Sequence, residues 1–184
     1  MFEGGGYDLN LLRILTIINQ YDPDLLTHCI NTEKYVKGIL SNLNLVNQDL
    51  CIAAVLHDIG KIYIPKELLH KPAKLDYIER AVIDMHSYYG YLFLKENGFS
   101  ECLSKYVLFH HSKKKQWISL IDCELTEEEK FYVDVLRAAD IYDAMVSSRP
   151  YREKVSSEAA FYILSKEKIN DDILKALEKY TKEI

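Results

Sequence analysis

His28, His57, Asp58, His86, His110, His111 and Asp140 are the residues of this 184-residue chain whose types and positions could do chemistry together. Read at the helical period, His28 shares a stripe with Leu25, Thr32, Tyr35 and Ile39, and His57 shares one with Leu50, Ala53 and Ala54. His110 follows Leu103 and Val107 in the same way, and Asp140 stands in line with Val133, Leu136 and Ala144. His86 adjoins a stripe made by Ile78, Val82, Met85 and Tyr89. A buried ionisable group is costly unless it is hydrogen-bonded, charge-paired or bound to a metal. One core histidine satisfied by a carbonyl would need no further account. Repetition on several separate helices favours a single shared site, a metal centre or a catalytic cluster. The adjacent pair in YVLFHHSKKKQWI, His110 and His111, then reads as two imidazoles serving that site. His70 lies on no such stripe and reads as a surface residue.

The elements that must position these groups are helices. Glycine is rare and only four prolines interrupt the chain, at 23, 65, 72 and 150. Asp22-Pro23 is an N-cap followed by the proline favoured in a first turn, so the spacing predicts a helix from about Pro23 to Leu40. Further helices are expected over about Asn47 to Asp58, Asp76 to Glu96 and Ser100 to His111. Thr126 and Glu129 form a capping box for a fifth, and Ser156 and Asp171 would cap two shorter ones. No stretch alternates convincingly enough to form a sheet. The fold class expected is all-α, a bundle of about seven helices in a single domain over residues 1–184, with residues 1–7 as a flexible N-terminus.

Composition narrows the partners. The length is enough for one core without staples, and 48% hydrophobic with 28% charged residues is a globular balance. A net charge of −5 argues against binding a nucleic-acid polymer over a broad surface, while leaving room for a small phosphorylated ligand in a local basic pocket. No apolar run approaches the roughly 20 residues of a membrane span, and MFEGGGYDLN lacks the features of a signal peptide. A cytoplasmic protein without membrane contact is the expectation. The scattered cysteines, Cys29, Cys51, Cys102 and Cys123, never form CxxC and read as reduced, packed thiols.

The stretch AAVLHDIGKIYIPKELLHKPAKL, with His57-Asp58-Ile59-Gly60-Lys61, Ile64-Pro65 and Lys71-Pro72, resembles the HD superfamily of metal-dependent phosphohydrolases, and within it the HD-GYP branch of cyclic-di-GMP phosphodiesterases. Asp24 with His28, Met85-His86 with Gly90, the pair His110-His111, and AADIYDAMVSSRPYR from Ala138 to Arg152 follow in the branch's order. The resemblance implies two divalent metals held by His28, His57, Asp58, His86, His110, His111 and Asp140, with Asp58 bridging them. It also implies a ligand role for Asp24 at a third metal, as in some members. Mixed imidazole and carboxylate ligands suit iron or manganese, with zinc or nickel as alternatives, better than magnesium. By the same resemblance a metal-bridging hydroxide attacks phosphorus, Lys61 contacts a substrate phosphate, and Arg149 and Arg152 bind phosphate or base. Asp58 and Lys61 are the catalytic candidates. Asp143 shares the helix face of Asp140 and is expected to orient a ligand or an arginine from behind.

The branch continues its paired histidines as H-H-E-x-x-D-G-x-G-Y-P, whereas this chain reads HHSKKKQWISL. Ser112 replaces the glutamate and the Gly-Tyr-Pro is absent. Lys113, Lys114 and Lys115 read either as a solvated loop or as positive charge at the mouth of a pocket. The function implied is therefore hydrolysis of cyclic di-GMP or a related cyclic dinucleotide. The alternatives are a nucleotide receptor without turnover and an HD phosphohydrolase of another nucleotide. The partner is a small nucleotide in each case, and a signalling partner or a homodimer remains open.

Overall fold

The computed structural model describes residues 7–111, 123–147 and 154–183. The helix expected from Asp22-Pro23 is present as Pro23–Asn42, and the Asp22 carboxylate accepts from the Asp24 and Leu25 amides at 3.0 and 3.2 Å. A helix that the sequence reading did not anticipate, α1 (Tyr7–Tyr21), precedes it, so the Pro23–Asn42 helix is α2. Ile14 and Ile18 of α1 are buried, and the Tyr21 hydroxyl donates to the Ile64 carbonyl at 2.6 Å.

Asn47 caps α3 (Gln48–Leu56), which ends two residues earlier than expected, and a 3-10 turn (Ile59–Tyr63) and the short α4 (Lys66–Leu69) follow. The single helix expected over Asp76 to Glu96 is in fact two, α5 (Tyr77–Asp84) and α6 (His86–Glu96), with the break at Met85. The proposed inward stripe fails with it: Ile78 is 71% exposed and Val82 39%, and α5 has no buried residue. Ile78 and Val82 have a helical period, but a period says nothing about whether a neighbour covers that face.

Ser100 caps α7 (Glu101–Phe109), and the Thr126–Glu129 capping box opens α8 (Glu127–Val146) with both reciprocal bonds formed. Ser156 caps α9 (Ser157–Leu164). Before α10 (Asp171–Glu183) it is Asn170, not Asp171, whose side chain accepts from the Asp172 amide at 2.8 Å. Among the described residues the seven expected helices thus become ten, through α1, α4 and the division at Met85.

α2 packs against α1, α3, α8 and α10, α7 against α3, α6 and α8, and the 3-10 turn against α6. Ile39, Leu50, Leu56, Leu103, Leu108 and Leu136 meet in one fully buried core. There is no strand among the described residues, and no described helix is long and apolar enough to cross a membrane. The four cysteines are free, with Cys29 buried. The architecture is all-α.

Candidate metal centre

Four histidines are aimed by bonds behind their rings. The Nδ1 atoms of His57, His86 and His110 lie 2.8, 2.6 and 2.6 Å from the carbonyl oxygens of Ala54, Ile83 and Val107, each three residues earlier. A carbonyl can only accept, so each Nδ1 carries its hydrogen. The Nδ1 of His28 is held instead by the Asp143 carboxylate at 2.6 Å, whose other oxygen accepts from the Ser147 hydroxyl at 2.7 Å. Fixing Nδ1 as the donor leaves Nε2 with a lone pair directed inward.

Those lone pairs converge on two carboxylates. His28 Nε2 lies 3.1 Å from Asp140 Oδ1, His86 Nε2 lies 3.2 Å from Asp58 Oδ1, and His57 Nε2 lies 3.3 Å from Asp58 Oδ2. His86 and His110 face one another through their Nε2 atoms at 3.4 Å. All of these side chains are buried, and His57 Nε2 and Asp58 Oδ1 have no hydrogen-bond partner. Acceptors pressed against acceptors in a dry interior repel unless positive charge lies between them. The residues therefore fit a metal. Ligand atoms of His28, His57 and Asp140 lie within 4.8 Å of one another, and so do those of Asp58, His86, His110 and His111.

The electrostatics carry the same demand. Burial pushes the His86 imidazole down to about 3, with Lys61 and His111 adding to it against the pull of Asp58. Burial likewise holds His110 and His111 below the usual imidazole range. Neutral imidazoles are the form that can ligate. Burial works against ionisation of Asp58, but the Lys61 ammonium and His57 outweigh it and hold the carboxyl well below its ordinary value. Burial also opposes a proton on His57, and there the Asp58 carboxylate prevails and raises it. Without a cation, a proton on His57 supplies charge that a metal would otherwise bring.

A family model for the HD domain matches residues 25–145. The chain belongs to the HD domain family. Among curated relatives, the cyclic di-GMP phosphodiesterase response regulator RpfG of Xanthomonas campestris pv. campestris is 33% identical over 136 residues, covering 71% of this chain and 36% of its own. A cyclic di-GMP phosphodiesterase of Thermotoga maritima is 29% identical over 187 residues, covering 95% of this chain and 50% of its own. The chain thus spans about a third to a half of the length of these relatives. The crystal structure of the HD domain of the L. monocytogenes phosphodiesterase PgpH shares the fold, with a TM-score of 0.66 at 15% identity over 91% of this chain and 94% of that one.

In this HD-family chain the seven residues His28, His57, Asp58, His86, His110, His111 and Asp140 come together, drawn from α2, the ends of α3 and α7, the head of the 3-10 turn, the first residue of α6, and α8. Asp24 does not join them: it is exposed in the first turn of α2. Lys61 Nζ lies 2.5 Å from Asp58 Oδ2, with the side chain 19% exposed, so it borders the cluster from the solvent side. Asp143 stands behind His28. Arg149, Arg152 and Lys113 to Lys115 lie outside the described residues. His70 is on the surface, with its Nε2 3.1 Å from Asp22 Oδ2.

Some contributors have no letter of their own in the sequence. The carbonyls of Ala54, Ile83 and Val107 are main-chain groups, and their signal is positional: a histidine at a helix end can reach back three residues. Gly60 is the other. A Cβ there would overlap the His86 carbonyl oxygen and stand 2.5 Å from the Gly90 amide nitrogen. Only a bare α-carbon lets the Asp58–Lys61 turn press against the head of α6, where His86 sits.

Proposed function

We propose that this chain hydrolyses a phosphodiester bond of a cyclic dinucleotide, cyclic di-GMP or a close relative, with two divalent cations held by His28, His57, Asp58, His86, His110, His111 and Asp140. The observation that carries the reading is the convergence of imidazole lone pairs and carboxylate oxygens in a cluster where the buried His57 Nε2 and Asp58 Oδ1 have no hydrogen-bond partner. Iron or manganese suits five imidazoles and two carboxylates, with zinc or nickel as alternatives. Two such cations, when bound, acidify a water and neutralise charge on the phosphoryl oxygens. Asp58 presents Oδ1 to His86 and Oδ2 to His57, which suits a carboxylate shared by both halves. Lys61, held at Asp58 yet open to solvent, is placed to meet a phosphate oxygen as negative charge grows there. Arg149 and Arg152 supply planar forks for the remaining phosphate or base contacts. The substrate class is supported by the cyclic di-GMP phosphodiesterases among the relatives.

A second reading is favoured by one observation, the replacement of the branch's Gly-Tyr-Pro segment by HHSKKKQWISL. It is a phosphohydrolase of another nucleotide, or a receptor that binds without turnover. The test is an assay with Mn(II), and with Fe(II) under anaerobic conditions, against cyclic di-GMP, linear pGpG, mononucleotides and a model bis-phosphoester. Cleavage of the cyclic dinucleotide is expected. Turnover of mononucleotides alone selects the other hydrolase, and saturable binding of cyclic di-GMP without product selects the receptor.

A further inference from the structure

The two halves of the cluster are not built alike. His28 is backed by a carboxylate, whereas His57, His86 and His110 are backed by neutral carbonyls. A carboxylate that accepts Nδ1–H pushes electron density through the ring and makes Nε2 a stronger donor to a cation. Asp143 is fully buried, with one oxygen on His28 and the other on Ser147, so its charge is fixed behind that ring. The same half also contains Asp140, whose Oδ1 faces both His28 and His57 at 3.1 and 3.7 Å.

The other half is poorer in negative charge and more open. Its carboxylate, Asp58, is shared, because Oδ2 turns toward His57 and also receives Lys61 Nζ at 2.5 Å. That ammonium offsets part of the charge a cation would feel. His111, the last ligand of this half, has a side chain 38% exposed, against 8% for His28 and 0% for His57.

We propose that the halves load in order: His28, His57 and Asp140, backed by Asp143, take the first divalent cation, and Asp58, His86, His110 and His111 take the second and exchange it more readily. Asp143 is the positioning residue that sets the order. The inference rests on the cluster binding metal and not on which ester it cleaves.

The test titrates metal-free full-length protein with Co(II), following calorimetry and the visible ligand-field bands, which report coordination at each step. The wild type is expected to bind in two steps, the first tighter by about tenfold or more. Asp143→Asn keeps a carbonyl acceptor for His28 but removes the charge, and is expected to weaken the first step by ~10- to 100-fold while leaving the second near its wild-type value. Ser147→Ala, which frees one oxygen of Asp143 without touching the cluster, should move the first step in the same direction by less. His86→Ala should delete the second step and keep the first. Two equal steps in the wild type would overturn the proposal, as would an Asp143→Asn variant with unaltered first-step affinity, or loss of the tight step in His86→Ala. Ordered loading without ester cleavage removes the hydrolase reading and leaves this one standing, and cleavage with simultaneous loading does the reverse. Absence of metal binding overturns both.

Discussion

A histidine at the C-terminal end of a helix can return its Nδ1–H to the carbonyl three residues back, and this protein does so in sequence at His57 and His110, with His86 doing the same from the break at Met85. The bond costs no side chain and settles which nitrogen is left to ligate. The Asp58 carboxylate also receives an ammonium from the solvent side, that of Lys61. Replacing it by methionine keeps the aliphatic stem and removes the charge. Lys61→Met should therefore retain bound Mn(II), measured by elemental analysis after gel filtration, while kcat on the cleaved ester falls by about 10²- to 10³-fold. A variant that loses its metal along with its rate would make Lys61 a structural partner of Asp58. Much of this scale was legible in the sequence, because His28, His57, His110 and Asp140 stood out as polar letters on apolar stripes. Asp24 was named by resemblance and not by a stripe, and it lies outside the cluster. Its spacing from His28 puts the two on one side of α2, but at the first turn that side already faces solvent, and one turn separates an exposed carboxylate from a buried imidazole.

Among the elements, the decisive contact is that between the 3-10 turn and the head of α6. Gly60 lies flat on the His86 carbonyl, so the turn carrying Asp58 and Lys61 and the helix carrying His86 are registered against each other through backbone alone. Gly60→Ala must separate them, since both obstructing atoms are main chain, and overpacking of this kind costs roughly 1 to 3 kcal/mol or more. Gly90→Ala is the matched control: its Cβ would meet the Val107 side chain at 3.0 Å, which can give way. Urea unfolding of the metal-free proteins should place Gly60→Ala well below Gly90→Ala, and metal content at limiting Mn(II) should fall only in the former. Equal losses in both would mean that the contact does not register the site. Helix starts were legible here because Asp22, Asn47, Ser100, Thr126 and Ser156 are capping residues whose bonds form locally. The division at Met85 was not, because Ile78, Val82, Met85 and Tyr89 continue a helical period across it, while at the break the Ile83 carbonyl meets the His86 ring and the Met85 amide.

For the molecule as a whole, the cluster lies where α2, α3, α6, α7 and α8 meet, so the groups least tolerant of a dry interior occupy the centre of the core. Such a core is stable in two circumstances. Either protons and internal hydrogen bonds satisfy it, as in an ordinary set of buried histidines, or cations do, and then folding and metal binding are one linked equilibrium. The two cases differ in what a chelator does. A ligand that binds only the folded chain stabilises it by RT ln(1 + [L]/Kd), about 3 to 4 kcal/mol for a metal present at 100 to 1,000 times its Kd. For a domain of this size each kcal/mol is worth roughly 2 to 4 °C. Scanning calorimetry of protein loaded with Mn(II) should therefore show a Tm roughly 5 to 15 °C above that of the same sample after EDTA and desalting. Asp58→Ala should shrink the difference without abolishing it, because it removes the carboxylate of the second half and leaves His28, His57 and Asp140 to hold a cation. If the loaded and stripped wild-type proteins melt together, the seven groups are satisfied by one another and the cluster is a polar core without a metal.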